Sequence, residues 1–224
     1  MKTIAGQRAV TYGFWARSLL QEPDELWLKE ARDLLRQEGG EPGEKDLATA
    51  RQEYFDRFFV PSSGRFVPPY EAAIEPLITA AGRDSVREIG YGPLNGPATC
   101  HVVACYLAVA FDPWSLAMFP PLKEIHLADH LGLELALMAY LCQQEANAGE
   151  DRSWTKLEAQ FLSSHLDRWL PVYARLTEDT GPGLYSSLLQ LCAGWVTADK
   201  EYLHDILAGG EGLEFDNEAV RHGH

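Results

Sequence analysis

The sequence predicts an all-α protein, a single helical domain of roughly eight to ten helices, with two subdomains as an open variant. Two observations carry this. Apolar residues recur at helical spacing in segment after segment, and no stretch of useful length alternates at the two-residue period of a strand. A third concerns the core. At 224 residues with 46% hydrophobic and 11% aromatic side chains, the chain can bury a core of useful size rather than remain disordered.

In chain order, residues 4–20 read as a helix with Val10, Phe14 and Leu20 among its apolar positions. Pro23 suits the first turn of a second helix carrying Leu26, Trp27, Ala31, Leu34 and Leu35, which Gly39-Gly40 ends. A third helix is expected over about 43–59, with Leu47, Tyr54, Phe55, Phe58 and Phe59. Residues 60–71 hold three prolines and a glycine and form an ordered turn or extended loop. A helix restarts near Tyr70 through Ile74, Leu77 and Ile78, with Pro76 marking a kink or early end.

Residues 82–97 are the least regular, and 90–97 are loop by composition. Thr99–Ala110 is helical, and Asp112-Pro113-Trp114 breaks it. A central helix then runs to about Asn147, closed by Gly149. From Ser153 one long helix carries Trp154, Leu157, Phe161, His165, Trp169 and Val172, with a kink expected at Pro171. Gly181-Pro182-Gly183 precedes the last helix, Leu184 to about Leu207, and the Gly209-Gly210 pair ends the order. Residues 1–210 are thus the folded unit, with a soft hinge near 111–127, and 211–224 a polar, mobile tail.

The formal net charge is −14. A nonspecific phosphate-binding surface needs a lysine and arginine excess, so nucleic acid is not an expected partner. No run reaches the roughly 18 apolar residues of a membrane span, and no secretory leader opens the chain, which makes the cytoplasm the default location. The four cysteines, Cys100, Cys105, Cys142 and Cys192, form no CxxC pair and read as buried free thiols. Nucleotide-loop, nucleophile-elbow and HExxH signatures are all absent, so neither enzymatic chemistry nor a cofactor is expected.

The central helix concentrates the unusual polar residues. In Leu127–Tyr140 the apolar side chains cover nearly the whole circumference, the mark of a buried helix. Glu134 falls within the apolar sector, and His130, at i−4, is its nearest local partner. Asp129 stands where an N-cap belongs. His126, His130 and Glu134 share a ligand-like i, i+4, i+8 spacing, the basis for an alternative reading as a metal-binding helical protein or enzyme; a cap and a buried His–Glu pair are the better reading, because an Asp129 cap leaves His126 outside the helix and no other His or Cys cluster is evident in the sequence. His165, between Phe161 and Trp169, reads as a hydrogen-bonded core histidine. Glu71, at a helix start, would favour the helix dipole. Phe58, Phe59, Phe66 and Trp114 read as core before binding surface.

Four segments together resemble the TorD/DmsD family of cytoplasmic chaperones for molybdenum-containing reductases, related to the nitrate reductase delta-subunit-like proteins. They are 54–61 (YFDRFFVP), 68–71 (PPYE), 128–138 (ADHLGLELALM) and 161–171 (FLSSHLDRWLP). The resemblance implies an all-helical chaperone domain without enzymatic activity. It implies binding of the twin-arginine leader and the apo catalytic subunit of a molybdenum oxidoreductase, held until cofactor insertion and then released for export. The family's Asp-His pair falls on Asp129 and His130, tied there to leader or client binding, while Glu134, His165 and Trp169 belong to the structural motif.

Such a leader offers two guanidinium groups followed by an apolar stretch, so its binder needs carboxylates beside an apolar groove. Asp129 and Glu71 would supply the charge; Tyr70, Phe66 and Trp114 would line the groove. His130 would make binding pH-sensitive, since an unperturbed histidine titrates near pH ~6.5. A generic helical adaptor is the remaining alternative. The sequence leaves monomer and homodimer both open.

Overall fold

The computed structural model describes residues 3–39, 46–79, 89–149 and 151–219, with side chains to residue 209. Among the described residues there are ten α-helices and no strand. They are α1 (Ile4–Leu20), α2 (Glu25–Gln37), α3 (Leu47–Phe58), α4 (Glu71–Thr79), α5 (Pro97–Ala108), α6 (Pro120–Ile125), α7 (Leu131–Ala148), α8 (Ser153–Ser164), α9 (Leu166–Asp179) and α10 (Leu184–Ala219).

Local chemistry sets several of these starts. Thr3, Asp24 and Asp46 cap α1, α2 and α3 by accepting the amides of Gly6, Trp27 and Thr49 at 3.1, 2.8 and 2.8 Å. Pro23 therefore precedes the Asp24 cap instead of occupying the first turn. Pro120 and Pro121 open α6, a short helix that the sequence reading passed over as part of a soft region; proline costs nothing where the amide has no helical acceptor.

Three further expectations change. The helix from Ser153 breaks at His165, whose φ of −126° and ψ of −92° leave the helical range, while Pro171 is accommodated inside α9. The last helix continues through Gly209-Gly210 to Ala219, since glycine weakens a helix by only about 1 kcal/mol relative to alanine. Cys142 and Cys192 are buried free thiols, but Cys100 is exposed and Cys105 half-buried, because α5 keeps one face in solvent. The expected start of α3 and the irregular stretch from 82 fall partly outside the described residues.

One hydrophobic core draws on all ten described helices. Its axis is α7, buried along its first three turns and packed lengthwise against α1. The two helices come so close that a Cβ on Gly132 would lie 2.7 Å from Leu20 Cγ.

Two buried charge networks tie the rest to this axis. Arg8 on α1 reaches Glu145 on α7 (2.8 Å), Glu158 on α8 (2.6 Å) and Asp199 on α10 (2.6 Å). Arg57 on α3 pairs with Glu53 at 2.9 Å and donates to the carbonyls of Thr177 and Gly181. Glu53 in turn accepts the amides of Leu184 and Tyr185 at 3.0 and 3.1 Å, capping α10. No helix among the described residues is long and apolar enough to cross a membrane.

Candidate functional site

Prolines 68 and 69 keep the chain before α4 extended, and it pairs antiparallel with the residues entering α7 at an isolated bridge between Tyr70 and His130. Leu131 N–H donates to the Pro69 carbonyl at 2.9 Å, and Glu71 N–H to the Asp129 carbonyl at 3.0 Å. Two helix N-termini, of α4 and α7, therefore meet side by side. Each leaves amides without helical acceptors.

Asp129 and His130 supply the acceptors. Asp129 Oδ2 takes the Ala72 amide at 2.9 Å, capping α4, where Tyr70 offers no suitable acceptor of its own. His130 Nδ1 takes the Gly132 amide at 3.1 Å, capping α7. The cap of the central helix is thus His130, one residue later than expected, and Asp129 serves the other helix. With Nδ1 accepting, the ring proton sits on Nε2. Burial pushes the His130 pKa down to about 3, which favours the neutral ring at physiological pH while the junction is closed.

Beneath this junction lies a second polar layer. Glu134 does not pair with His130; its Oε2 accepts from Trp169 Nε1 at 3.1 Å. Burial first, and the nearby Glu71 charge second, raise its pKa well above the usual 4.5 and favour the protonated form. Glu71 instead engages His165, whose Nδ1 lies 2.6 Å from Glu71 Oε2. Burial opposes the charged imidazole, but Cys105 and Glu71 as hydrogen-bonding neighbours outweigh it and raise the His165 pKa to about 9. The break between α8 and α9 lets this ring turn inward, and Phe161 stacks on it at 4.7 Å.

Six of the nine predicted site and motif residues therefore form one cluster: Glu71, Asp129, His130, Glu134, His165 and Trp169. Tyr70 adjoins it, edge-on to His130 at 5.2 Å. None of these titratable groups faces solvent: Asp129 and Glu134 are 0% exposed, Glu71 and His130 2%. Asp129 and Glu71, the carboxylates expected to supply charge for a basic peptide, are both buried and already engaged by the fold. Phe66 is half-buried outside the core cluster. Trp114 packs on the core edge against His126, with ring centroids 4.6 Å apart. His126 ends α6 in the left-handed region, so the predicted His126, His130 and Glu134 set does not converge.

The sequence reading missed His101 and Cys105. They sit one turn apart on α5, and His101 Nδ1 lies 2.7 Å from His165 Nε2. Their i, i+4 spacing was the available signal. They line a cavity of about 490 Å³ between α5, α7 and α8, together with Leu137, Leu141, Phe161 and His165.

The chain is 32% identical over 82 residues to the chaperone protein TorD of Vibrio cholerae serotype O1, El Tor Inaba strain, covering 35% of this chain and 37% of that protein. Against TorD of the Classical Ogawa strain it is 34% identical over 84 residues, 35% and 38% of the two chains. The aligned part thus spans under two-fifths of the length of these relatives. No solved structure matches the chain. The profile of the nitrate reductase delta subunit matches residues 19–175, a stretch that contains α2 through most of α9 and the whole capped junction, and the chain belongs to that family.

Proposed function

We propose that the protein is a non-catalytic maturation chaperone for a redox enzyme, acting in the cytoplasm. It binds the twin-arginine leader and the apo catalytic subunit of a molybdenum oxidoreductase and holds the client until its cofactor is inserted before export. The observation that carries this reading is the convergence, inside the family match, of residues 68–71, 128–134 and 165–169 on one junction. The similarity to proteins named chaperones and the net charge of −14 favour a basic client segment.

Because Asp129 is buried, leader recognition through it requires the 68–71 segment to lift from 128–131. A leader guanidinium then replaces the Ala72 amide as the partner of the carboxylate. Phe66, Tyr70 and Trp114 contribute apolar surface beside the opened segment. Calorimetry with a synthetic twin-arginine leader, its twin-lysine counterpart and two ionic strengths tests the reading. Tighter binding of the arginine peptide, weakened by salt, is expected. Equal affinity for the two peptides would leave a generic helical adaptor. Capture from the native host should yield a molybdenum oxidoreductase.

A further inference from the structure

His101, Cys105 and His165 offer nitrogen and sulfur atoms that all lie within 4.8 Å of one another. They come from two directions: His101 and Cys105 from one face of α5, and His165 from the break between α8 and α9. All three line the cavity between α5, α7 and α8, and His101 is exposed at its edge. We propose that they form a binding site for a single divalent cation of zinc type, closing α5 onto the α8–α9 junction.

The donor chemistry fits. Two imidazoles and a thiolate are a borderline-soft set that favours zinc over magnesium or calcium. The supporting shell is also present. Glu71 Oε2 holds His165 Nδ1 at 2.6 Å, the carboxylate–histidine arrangement that directs the other nitrogen at a metal. Phe161 stacks on the same ring and fixes its plane. The other nitrogen, Nε2, is hydrogen-bonded to His101 Nδ1, 2.7 Å away, and a cation would take the place of the shared proton. In a tetrahedral site with metal–nitrogen bonds of about 2.0–2.1 Å the two nitrogens sit roughly 3.4 Å apart, so the rings must part by under an ångström. His101, exposed on α5, can make that shift without disturbing the core. The fourth position faces the cavity and is open to water or another small donor.

This site goes beyond the chaperone reading and its outcome does not depend on leader binding. The test uses the full chain, titrated with cobalt(II) and then zinc(II). One equivalent of cobalt should give the near-ultraviolet thiolate-to-cobalt charge-transfer band and the strong visible bands of four-coordination, and zinc should remove both. Cys105→Ser should lose the charge-transfer band, and His101→Ala should lose stoichiometric binding, each with an unchanged circular dichroism spectrum. Glu71→Gln should weaken binding by about 10–100-fold. His222 and His224, near the chain end, can also take up metal, but they cannot generate a sulfur band. Absence of that band in the wild-type protein at stoichiometric cobalt, or its persistence in Cys105→Ser, overturns the proposal.

Discussion

The Asp129 carboxylate caps a helix that begins more than fifty residues earlier in the chain: its Oδ2 accepts the Ala72 amide at 2.9 Å. This bond, with the paired backbone bonds around it, is what fastens the 68–71 segment across the start of α7.

The cap role and the charge role of Asp129 separate by substitution. Asp129→Ala leaves a buried amide without its acceptor and should cost about 2 kcal/mol in chemical denaturation. Asp129→Asn keeps an acceptor oxygen and should cost less than half as much. Leader affinity measured on the folded Asn variant should nevertheless fall and lose much of its salt dependence. An Asn variant that binds the leader as well as the wild type would confine Asp129 to capping.

The sequence made the helices and the identity of the cluster legible because both are local or motif-borne. Apolar spacing located α1, α4, α5 and α10 starts closely, and the family segments named six residues that do meet. What it could not supply was partner choice across the chain. Asp129 before an apolar run reads as the cap of that run; only the fold brings α4 alongside to claim it. Glu134 reads as the partner of His130, one turn away, yet Trp169 from α9 reaches it first. Pro171 is the conspicuous breaker in its segment, but the packing demand on His165 moves the break six residues upstream. Burial of the site charges is likewise a property of the assembled layers, invisible to spacing.

Neutrality of His130 is directly measurable. Its folded pKa is depressed to about 3 from an ordinary value of 6.5. The sign follows: the neutral cap contributes its full stability above 6.5, and that contribution is lost as pH falls toward 3. The His130 ring resonances should therefore not titrate between pH ~5 and ~8, where an unperturbed histidine changes charge. His130→Asn, which retains a capping oxygen, should remove the acid-side decline in stability. Titration of the wild-type ring near 6.5 would show that the junction opens to solvent in the free protein.

Arg8 is surrounded by three carboxylates, Glu145, Glu158 and Asp199, and the excess negative charge falls on Glu158. Burial first, countered by Arg8 and reinforced by Glu145, raises the Glu158 pKa from 4.5 to about 7. A raised carboxyl pKa means the fold prefers the protonated form, so stability falls as pH rises from 4.5 to 7. Relative to Glu158→Gln, the wild type should lose up to about 3 kcal/mol across that window. Arg8→Ala should be costlier at neutral pH, by about 3–5 kcal/mol, because it strands buried carboxylates without their cation. Urea denaturation at several pH values reads both.

The contact between α1 and α7 at Gly132 gives a sharp packing test. Alanine is the better helix former, so at an open position Gly132→Ala would stabilise α7 by up to about 1 kcal/mol. Here the new methyl would sit 2.7 Å from Leu20 Cγ and 2.8 Å from Leu20 Cδ2. Leu20 is 3% exposed and confined by the core, so it cannot swing aside. Overpacking should win, with a net loss of about 1–3 kcal/mol. Leu20→Ala alone also destabilises, by about 2–5 kcal/mol, through the cavity it opens. Combined, the two changes exchange volume across the same contact. The double variant should therefore be more stable than the sum of the single losses, with a coupling of about 1 kcal/mol or more in a thermal or urea double-mutant cycle. Simple additivity would mean that α1 and α7 do not meet at this glycine in solution.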